Sequence, residues 1–100
     1  MSDTPRLVAI VFADVSGSTS LYEKLGDHDA RLAIESVLTA MRTSVAIHDG
    51  RVVKTIGDEV MAMLPTADAA IQAACDMQIR VAGIPPVAGL KLAVRIGFHF

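Results

Sequence analysis

Cysteine is almost absent from this sequence, and no apolar stretch in it is long. The single cysteine, Cys75, has no partner in the chain, which excludes stabilisation by an internal disulfide. Because Cys75 follows two alanines in an apolar stretch, we expect a buried thiol in a reducing compartment. The longest apolar run, residues 7–13, is far shorter than the about 20 residues that span a bilayer, and it lacks a basic flank with a cleavage site. The sequence therefore predicts a cytoplasmic chain with no membrane segment.

Charge of neither sign dominates. Nine Lys and Arg residues are scattered among eleven Asp and Glu residues, giving a formal net charge of −2. This leaves no basic stripe for nucleic acid and no polybasic patch for a membrane surface, so a small-molecule ligand is expected. With 52% hydrophobic and 20% charged residues, the 100 residues suit one soluble domain.

The first half of the chain predicts one strand and two helices. Residues 1–5 are polar and include a proline, which indicates a loose end, whereas residues 7–13 are apolar at every position, as in a central strand covered on both sides. Capping residues at 14–19 then open a short helix that Gly26 ends. Beyond it, apolar residues at three- and four-residue steps predict a long amphipathic helix to about His48.

The second half predicts a hairpin, a helix and a last strand. Residues 51–56 and 59–64 are short apolar strands joined by the two-residue turn 57–58. A third helix is predicted to run from Thr66 until Gly83. The next stretch alternates over residues 90–100 as a fourth strand, whose apolar face carries Leu92, Val94, Ile96 and Phe98.

The resulting order, β-αα-β-β-α-β, predicts an α+β fold. Short connections and right-handed crossovers are satisfied most simply by a ferredoxin-like, palm-type split β-α-β sheet with the helices on one face. Strand three would then lie antiparallel between strands one and two. We expect one domain over residues 1–100.

This topology brings two acidic residues together. Asp14 ends strand one and Asp58 follows strand two, so both lie at the same edge of the sheet if these strands are parallel. Two strand spacings of about 4.8 Å separate them, close enough for both carboxylates to reach one cation or a pair of cations. Hard oxygen ligands favour Mg²⁺ or Mn²⁺. Taken singly, each aspartate also fits a structural role, as a helix cap or a turn residue.

The sequence also predicts a phosphate cradle beside this pair. The backbone N–H groups of Gly17, Ser18 and Thr19 would point out of the N-terminus of the first helix, where the helix dipole favours anions. Two ions about 4 Å apart activate an attacking hydroxyl and neutralise the leaving phosphates. These parts suit phosphoryl transfer on a metal-bound triphosphate.

Two motifs in order carry a family resemblance. Residues 12–21 (FADVSGSTSL) and 54–62 (KTIGDEVMA) resemble the two metal-site motifs of class III adenylate and guanylate cyclases, and residues 95–99 (RIGFH) resemble the strand that follows. The resemblance covers the chain from about Leu7. It implies the N-terminal part of a catalytic domain that converts ATP to cyclic AMP and pyrophosphate with two Mg²⁺ or Mn²⁺ ions.

The resemblance also implies a role for each site residue. Asp14 and Asp58 would bind both metals, with the Val15 carbonyl as a further ligand, and the turn through Ser18 and Thr19 would hold the β- and γ-phosphates. Lys54 would match the residue that reads the adenine ring, where guanylate cyclases typically carry Glu. In the family that lysine serves the site whose metals lie on the partner chain. A head-to-tail homodimer with two composite sites is therefore expected.

Lys54 stands out on its own, because it interrupts the apolar stretch 52–56 within a strand. An ammonium group there needs a partner or a ligand. An edge-strand lysine that keeps its charge in water and discourages aggregation explains the position equally well. Four residues of extended chain put its Cα about 13 Å from that of Asp58, too far to join a metal cluster.

The sequence departs from the family at its end. The chain stops at Phe100 inside an alternating strand, before the helix that carries the family's transition-state asparagine and arginine, and it contains no asparagine. We therefore expect these 100 residues to bind metal and nucleotide but to show little or no turnover, since losing such a donor costs about 10²- to 10³-fold in rate.

Three alternatives remain at this point. Residues 57–60 (GDEV) resemble the hairpin of diguanylate cyclases, although Ile56 replaces the first glycine, and guanylate cyclase differs only in the base. Asp14 with residues 16–19 resembles the nucleophile motif of haloacid dehalogenase-like phosphatases, although Ser16 replaces an acidic residue. The third alternative is a non-catalytic dimerisation module.

Glu59 is interpreted as a solvated edge residue, and no metal-ligand spacing links His28, His48 and His99.

Overall fold

A computed structural model describes residues 8–100 of the chain. Residues 1–5, for which a loose end is predicted, and Leu7, the predicted start of strand one, lie outside the described residues. The elements are β1 (Ala9–Ser16), α1 (Ser18–Ile47), β2 (Arg51–Ile56), β3 (Glu59–Leu64), α2 (Ala67–Ala82) and β4 (Ala93–His99).

The four strands form one sheet in the order β2-β3-β1-β4. Each neighbouring pair is antiparallel, so β1 and β2 run parallel to each other with β3 between them. This confirms the predicted α+β topology. It also sets the end of β1 next to the turn that joins β2 to β3, which is where the candidate site lies.

Strand β1 continues three residues beyond its predicted end at Ala13. Its ladder with β4 runs on to the pair Ser16 and Ala93, so Asp14 lies within the strand and not after it. A run of uniform hydrophobicity marks the apolar part of a strand, whereas hydrogen bonds to a neighbour decide where the strand ends.

Both helices pack on one face of the sheet. Val11, Ala13 and Val15 of β1 are buried in a single core with residues of α1 and α2, whereas Phe12 on the opposite face of β1 is 37% exposed. The expectation that strand one is covered on both sides is therefore wrong for the described chain. The sequence pattern does not distinguish an apolar residue on an open sheet face, such as Ile10, from a buried one.

A kink at Gly26 divides α1 into the two helical segments that the sequence predicts. Gly26 has φ 78° and ψ 172°, a combination that is essentially restricted to glycine. The short segment from Ser18 to Leu25 can therefore point in a different direction from the long one. Val37, Met41 and Val45 anchor the long segment in the core.

Replacing Gly26 with alanine is expected to lower the free energy of unfolding by about 1–3 kcal/mol. An added Cβ would meet no atom within 4 Å, so the loss comes from the backbone conformation alone. Gly97→Ala is the matched control, because it too has open space but lacks a positive φ. Urea unfolding followed by circular dichroism measures both variants, and equal midpoints for the two would contradict the prediction.

Helix α2 begins at a capped N-terminus. Thr66 Oγ1 accepts a hydrogen bond of 3.0 Å from the Ala69 N–H. Near the other end, Arg80 Nε donates to Asp76 at 2.8 Å, and this guanidinium lowers the pKa of the Asp76 carboxyl. The helix buries its small-residue face against the sheet, with Ala70, Ala73, Ala74, Met77 and Val81.

Two expectations for the second half are wrong. Cys75 is exposed, since the buried stripe of α2 passes through Ala74 and Met77 and leaves Cys75 on the solvent side. Strand β4 starts at Ala93 instead of residue 90, because Val87 and Leu90 hydrogen-bond to each other in a turn before it. Within residues 8–100, no helix combines the length and apolarity needed to cross a bilayer.

Candidate active site

One backbone hydrogen bond joins the two motifs. The Val15 N–H donates to the Asp58 carbonyl over 3.1 Å, which ties the end of β1 to the β2–β3 turn. Asp14 and Asp58 therefore lie at the same edge of the sheet, as the parallel arrangement of β1 and β2 predicts. Whether both carboxylates hold one pair of ions stays a prediction.

Asp14 lies on the open face of the sheet, between charged residues of both neighbouring strands. Its partner in the ladder with β4 is Arg95, and its partner in the ladder with β3 is Glu59. Arg95 Nε lies 3.5 Å from Asp14 Oδ1, a long and exposed ion pair that contributes little to stability. All three residues line a cavity of about 430 Å³.

Sequence reasoning missed Arg95. The alternating pattern of residues 90–100 placed Arg95 on the polar face of the fourth strand. Its contact with Asp14 depends on the pairing of β4 with β1, which the sequence did not predict. Glu59 was expected at an edge, yet β3 is an inner strand and Glu59 is half-buried opposite Asp14. Two more charged side chains therefore surround Asp14 than the sequence indicated.

Asp58 faces a different cavity. It is half-buried in the β2–β3 turn and, with Gly57 and Ser18, lines a cavity of about 650 Å³ between this turn and α1. Asp14 does not line this cavity. In residues 8–100 no group of three or more His, Cys, Asp or Glu side chains is placed to hold a metal ion.

The turn into α1 leaves its first N–H groups without a side-chain cap. Gly17 holds the N-cap position in the left-handed conformation, with φ 73° and ψ 23°, and no side chain accepts from the first turn. The first helical bond, from Leu21 N to the Gly17 carbonyl, measures 3.3 Å. The N–H groups of Ser18 and Thr19 precede this bond and can donate to an anion at the helix N-terminus.

Lys54 lies apart from both cavities. It is exposed on β2, an edge strand of the sheet, next to an irregularity in the ladder between Val52 and Lys54. Its partner on β3 is Met61. An exposed edge position suits both interpretations of Lys54, base recognition and edge protection, which stay predictions.

Comparison with known proteins places this geometry in a family. Residues 2–100 match the adenylate and guanylate cyclase catalytic domain. An adenylate cyclase of Lachancea kluyveri is 38% identical over 74 residues, which are 74% of this chain and 4% of that protein. An adenylate cyclase of Streptomyces coelicolor is 29% identical over 92 residues, which are 92% of this chain and 24% of that protein.

A solved structure is similar to this chain in both fold and sequence. A bacterial light-regulated adenylyl cyclase superposes with a TM-score of 0.80 at 26% identity, covering 91% of this chain and 29% of that one. The chain thus spans less than a third of each of these relatives. With the two motifs joined at one sheet edge and the match extending over residues 2–100, the chain belongs to the adenylate and guanylate cyclase catalytic domain family.

Proposed function

We propose that this chain supplies the metal-binding and phosphate-binding part of a site that converts ATP to cyclic AMP and pyrophosphate. In that reaction the ribose 3′-oxygen forms a bond to the α-phosphorus, the bond from that phosphorus to the β-phosphate oxygen breaks, and the hydroxyl proton is released. The observation that carries the proposal is the hydrogen bond from Val15 to Asp58, because it brings the two acidic motifs to one place.

The donor set fits hard divalent cations. Asp14 and Asp58 offer carboxylate oxygens and Val15 a carbonyl oxygen, which are ligands that Mg²⁺ and Mn²⁺ accept. Mg²⁺ usually binds through one or two carboxylates together with substrate phosphates, so two aspartates can supply the acidic protein ligands that it needs. Two such ions, when bound, would lower the pKa of the attacking hydroxyl and neutralise the leaving pyrophosphate.

Residues of the chain would position the phosphates. The N–H groups of Ser18 and Thr19 at the start of α1 would donate to the β- and γ-phosphate oxygens, and Gly17 permits the turn that exposes them. The Arg95 guanidinium, exposed beside Asp14, can exchange its long ion pair for a phosphate. These contacts hold the triphosphate in line for attack.

Lys54 would read the adenine ring of a nucleotide whose metals lie on a second chain. Its exposed position on an edge strand, outside the linings of the two cavities that hold Asp14 and Asp58, supports a role across an interface. Two chains in head-to-tail arrangement would then form two composite sites. Two alternatives use the same fold. Cyclisation of one GTP, or the joining of two GTP molecules by a diguanylate cyclase, would require guanine to be bound in place of adenine, and a non-catalytic dimerisation module would lack turnover.

A phosphatase of the haloacid dehalogenase type is the weakest alternative. That mechanism belongs to a doubly wound parallel sheet, whereas the sheet here is antiparallel between every neighbouring pair of strands. Trapping of a phosphoryl or beryllofluoride adduct at Asp14 would be needed to support it.

A test of base recognition separates the two interpretations of Lys54. We expect Lys54→Ala to weaken the affinity for ATP with Mn²⁺ by about tenfold, since a lost charged hydrogen bond is worth about 1.5–3 kcal/mol. Affinity for tripolyphosphate, which has no base, should not change. Arg51→Ala on the same strand is the control for charge. If both ligands weaken equally, or neither does, Lys54 does not read the base.

The activity itself is tested at the full length of the domain. Incubated with ATP and Mn²⁺, the full-length protein is expected to release cyclic AMP and pyrophosphate in equal amounts, and residues 1–100 alone are expected to bind ATP with little turnover. Chromatography of the products measures both. Failure of the full-length protein to form a cyclic product from either ATP or GTP would contradict the proposal.

A further inference from the structure

The 650 Å³ cavity beside α1 holds a cation that the proposed mechanism does not use. Ser18 and Asp58 line one side of this cavity, and Arg31, from the long segment of α1, lines another. The kink at Gly26 folds the two segments of α1 so that both face the same space. The cavity therefore opens directly from the residues assigned to the metal and the phosphates.

Within the described part of the chain, no carboxylate forms an ion pair with Arg31. Glu35, the other charged residue that α1 contributes to the lining, pairs instead with Arg42 at 2.8 Å. Arg80 and Arg95 also pair with carboxylates. Among residues 8–100, none accepts a hydrogen bond or a salt bridge from Arg31, which leaves its guanidinium available to a ligand.

Arg31 is exposed, and apolar side chains of the cavity lining lie beside it. An arginine beside a low-dielectric surface attracts an anion more strongly than the same arginine surrounded by water. Its planar guanidinium also matches the geometry of two phosphate oxygens. The apolar lining consists of Tyr22, Leu32, Ile34 and Leu38.

We infer that Arg31 binds the terminal phosphates of the nucleotide, and that pyrophosphate occupies this cavity after cyclisation. The inference rests on the proposed function, because it takes Ser18 and Asp58 as the start of the path that the phosphates follow. Arg31 then acts on the leaving group and not on the reacting α-phosphorus. Its removal should affect ligands with terminal phosphates and spare those without them.

Calorimetric titration with inorganic pyrophosphate and Mn²⁺ tests this directly. We expect Arg31→Ala to weaken pyrophosphate binding by about tenfold, the lower end of the range for a charged hydrogen bond. Arg31→Lys should retain part of the affinity, because lysine keeps the positive charge but cannot form the bidentate hydrogen bonds of a guanidinium group. Arg51→Ala removes the same charge from β2, outside the cavity, and should bind pyrophosphate as the unsubstituted chain does.

The outcomes separate this inference from the proposed function. If Arg31→Ala and the unsubstituted chain bind pyrophosphate equally, or if Arg51→Ala loses as much, the inference is wrong, whatever Asp58→Asn does. If Arg31→Ala loses pyrophosphate affinity while Asp58→Asn does not, the Arg31 site stands and the metal assignment fails. Adenosine monophosphate with Mn²⁺ is the ligand control. A matching loss of its affinity in Arg31→Ala would mean that the arginine supports the fold and not the terminal phosphates.

Discussion

Replacing Asp58 with asparagine is expected to weaken Mn²⁺-dependent binding of ATP by at least about 100-fold. Mutating a residue that only hydrogen-bonds a metal ligand already lowers metal affinity by about 10- to 100-fold, and loss of a ligand should cost at least as much. Asparagine keeps the size of the side chain and suits a turn, so the β2–β3 hairpin should form normally. The bond from the Val15 N–H goes to the backbone of Asp58 and does not depend on the side chain. Calorimetric titration of ATP with Mn²⁺, repeated with a chelator, measures the effect.

This variant also decides between a functional and a structural role for Asp58. If the aspartate serves only the turn, Asp58→Asn should bind ATP with an unchanged Kd and unfold at an unchanged temperature. Asp29→Asn provides the control, since it removes the same charge from an exposed position of α1. We expect its Kd to stay within about twofold, as surface charges screened by salt act weakly at a distance.

Replacing Leu21 with alanine is expected to lower the free energy of unfolding by about 3 kcal/mol. Leu21 is 2% exposed and is the buried residue of the short segment of α1, from Ser18 to the kink at Gly26. Truncation leaves a space that the kinked segment cannot easily fill. Because the same segment carries the N–H groups of Ser18 and Thr19, ATP binding should weaken as well.

Urea unfolding followed by circular dichroism measures the stability of Leu21→Ala. Glu23→Ala, on the exposed side of the same segment, is the matched control and should change the free energy of unfolding by less than about 0.5 kcal/mol. A loss below about 1 kcal/mol in Leu21→Ala would mean that this segment is not anchored through its leucine, and the phosphate cradle would then lack its support.

The topology followed from the sequence because local signals agreed. The apolar steps of α1, the glycine at position 26 and the two-residue turn at 57–58 each predicted what the structure has. Once the β2–β3 hairpin and the long connection through α1 were recognised, few sheet arrangements remained. The meeting of Asp14 with Asp58 at one edge follows from that arrangement and not from either residue alone.

The remaining features depend on contacts that a sequence does not display. The end of β1 at Ser16 and the approach of Arg95 to Asp14 both follow from the pairing of β4 with β1. Burial of Cys75 was predicted from its apolar neighbours, but the rotation of α2 decides which side of the helix faces the core. The cavity at Arg31 likewise arises only after the kink in α1 has folded its two segments together.

Paramagnetic broadening of the backbone amides by Mn²⁺ tests the central claim most directly, because it reports where the ion lies without requiring turnover. With Mn²⁺ and ATP present, the account predicts that the amides of Asp14, Val15 and Asp58 lose intensity first, with those of Ser18 and Thr19 close behind. Broadening centred on another part of the chain, with these five amides unaffected, would contradict the assignment of the metal site.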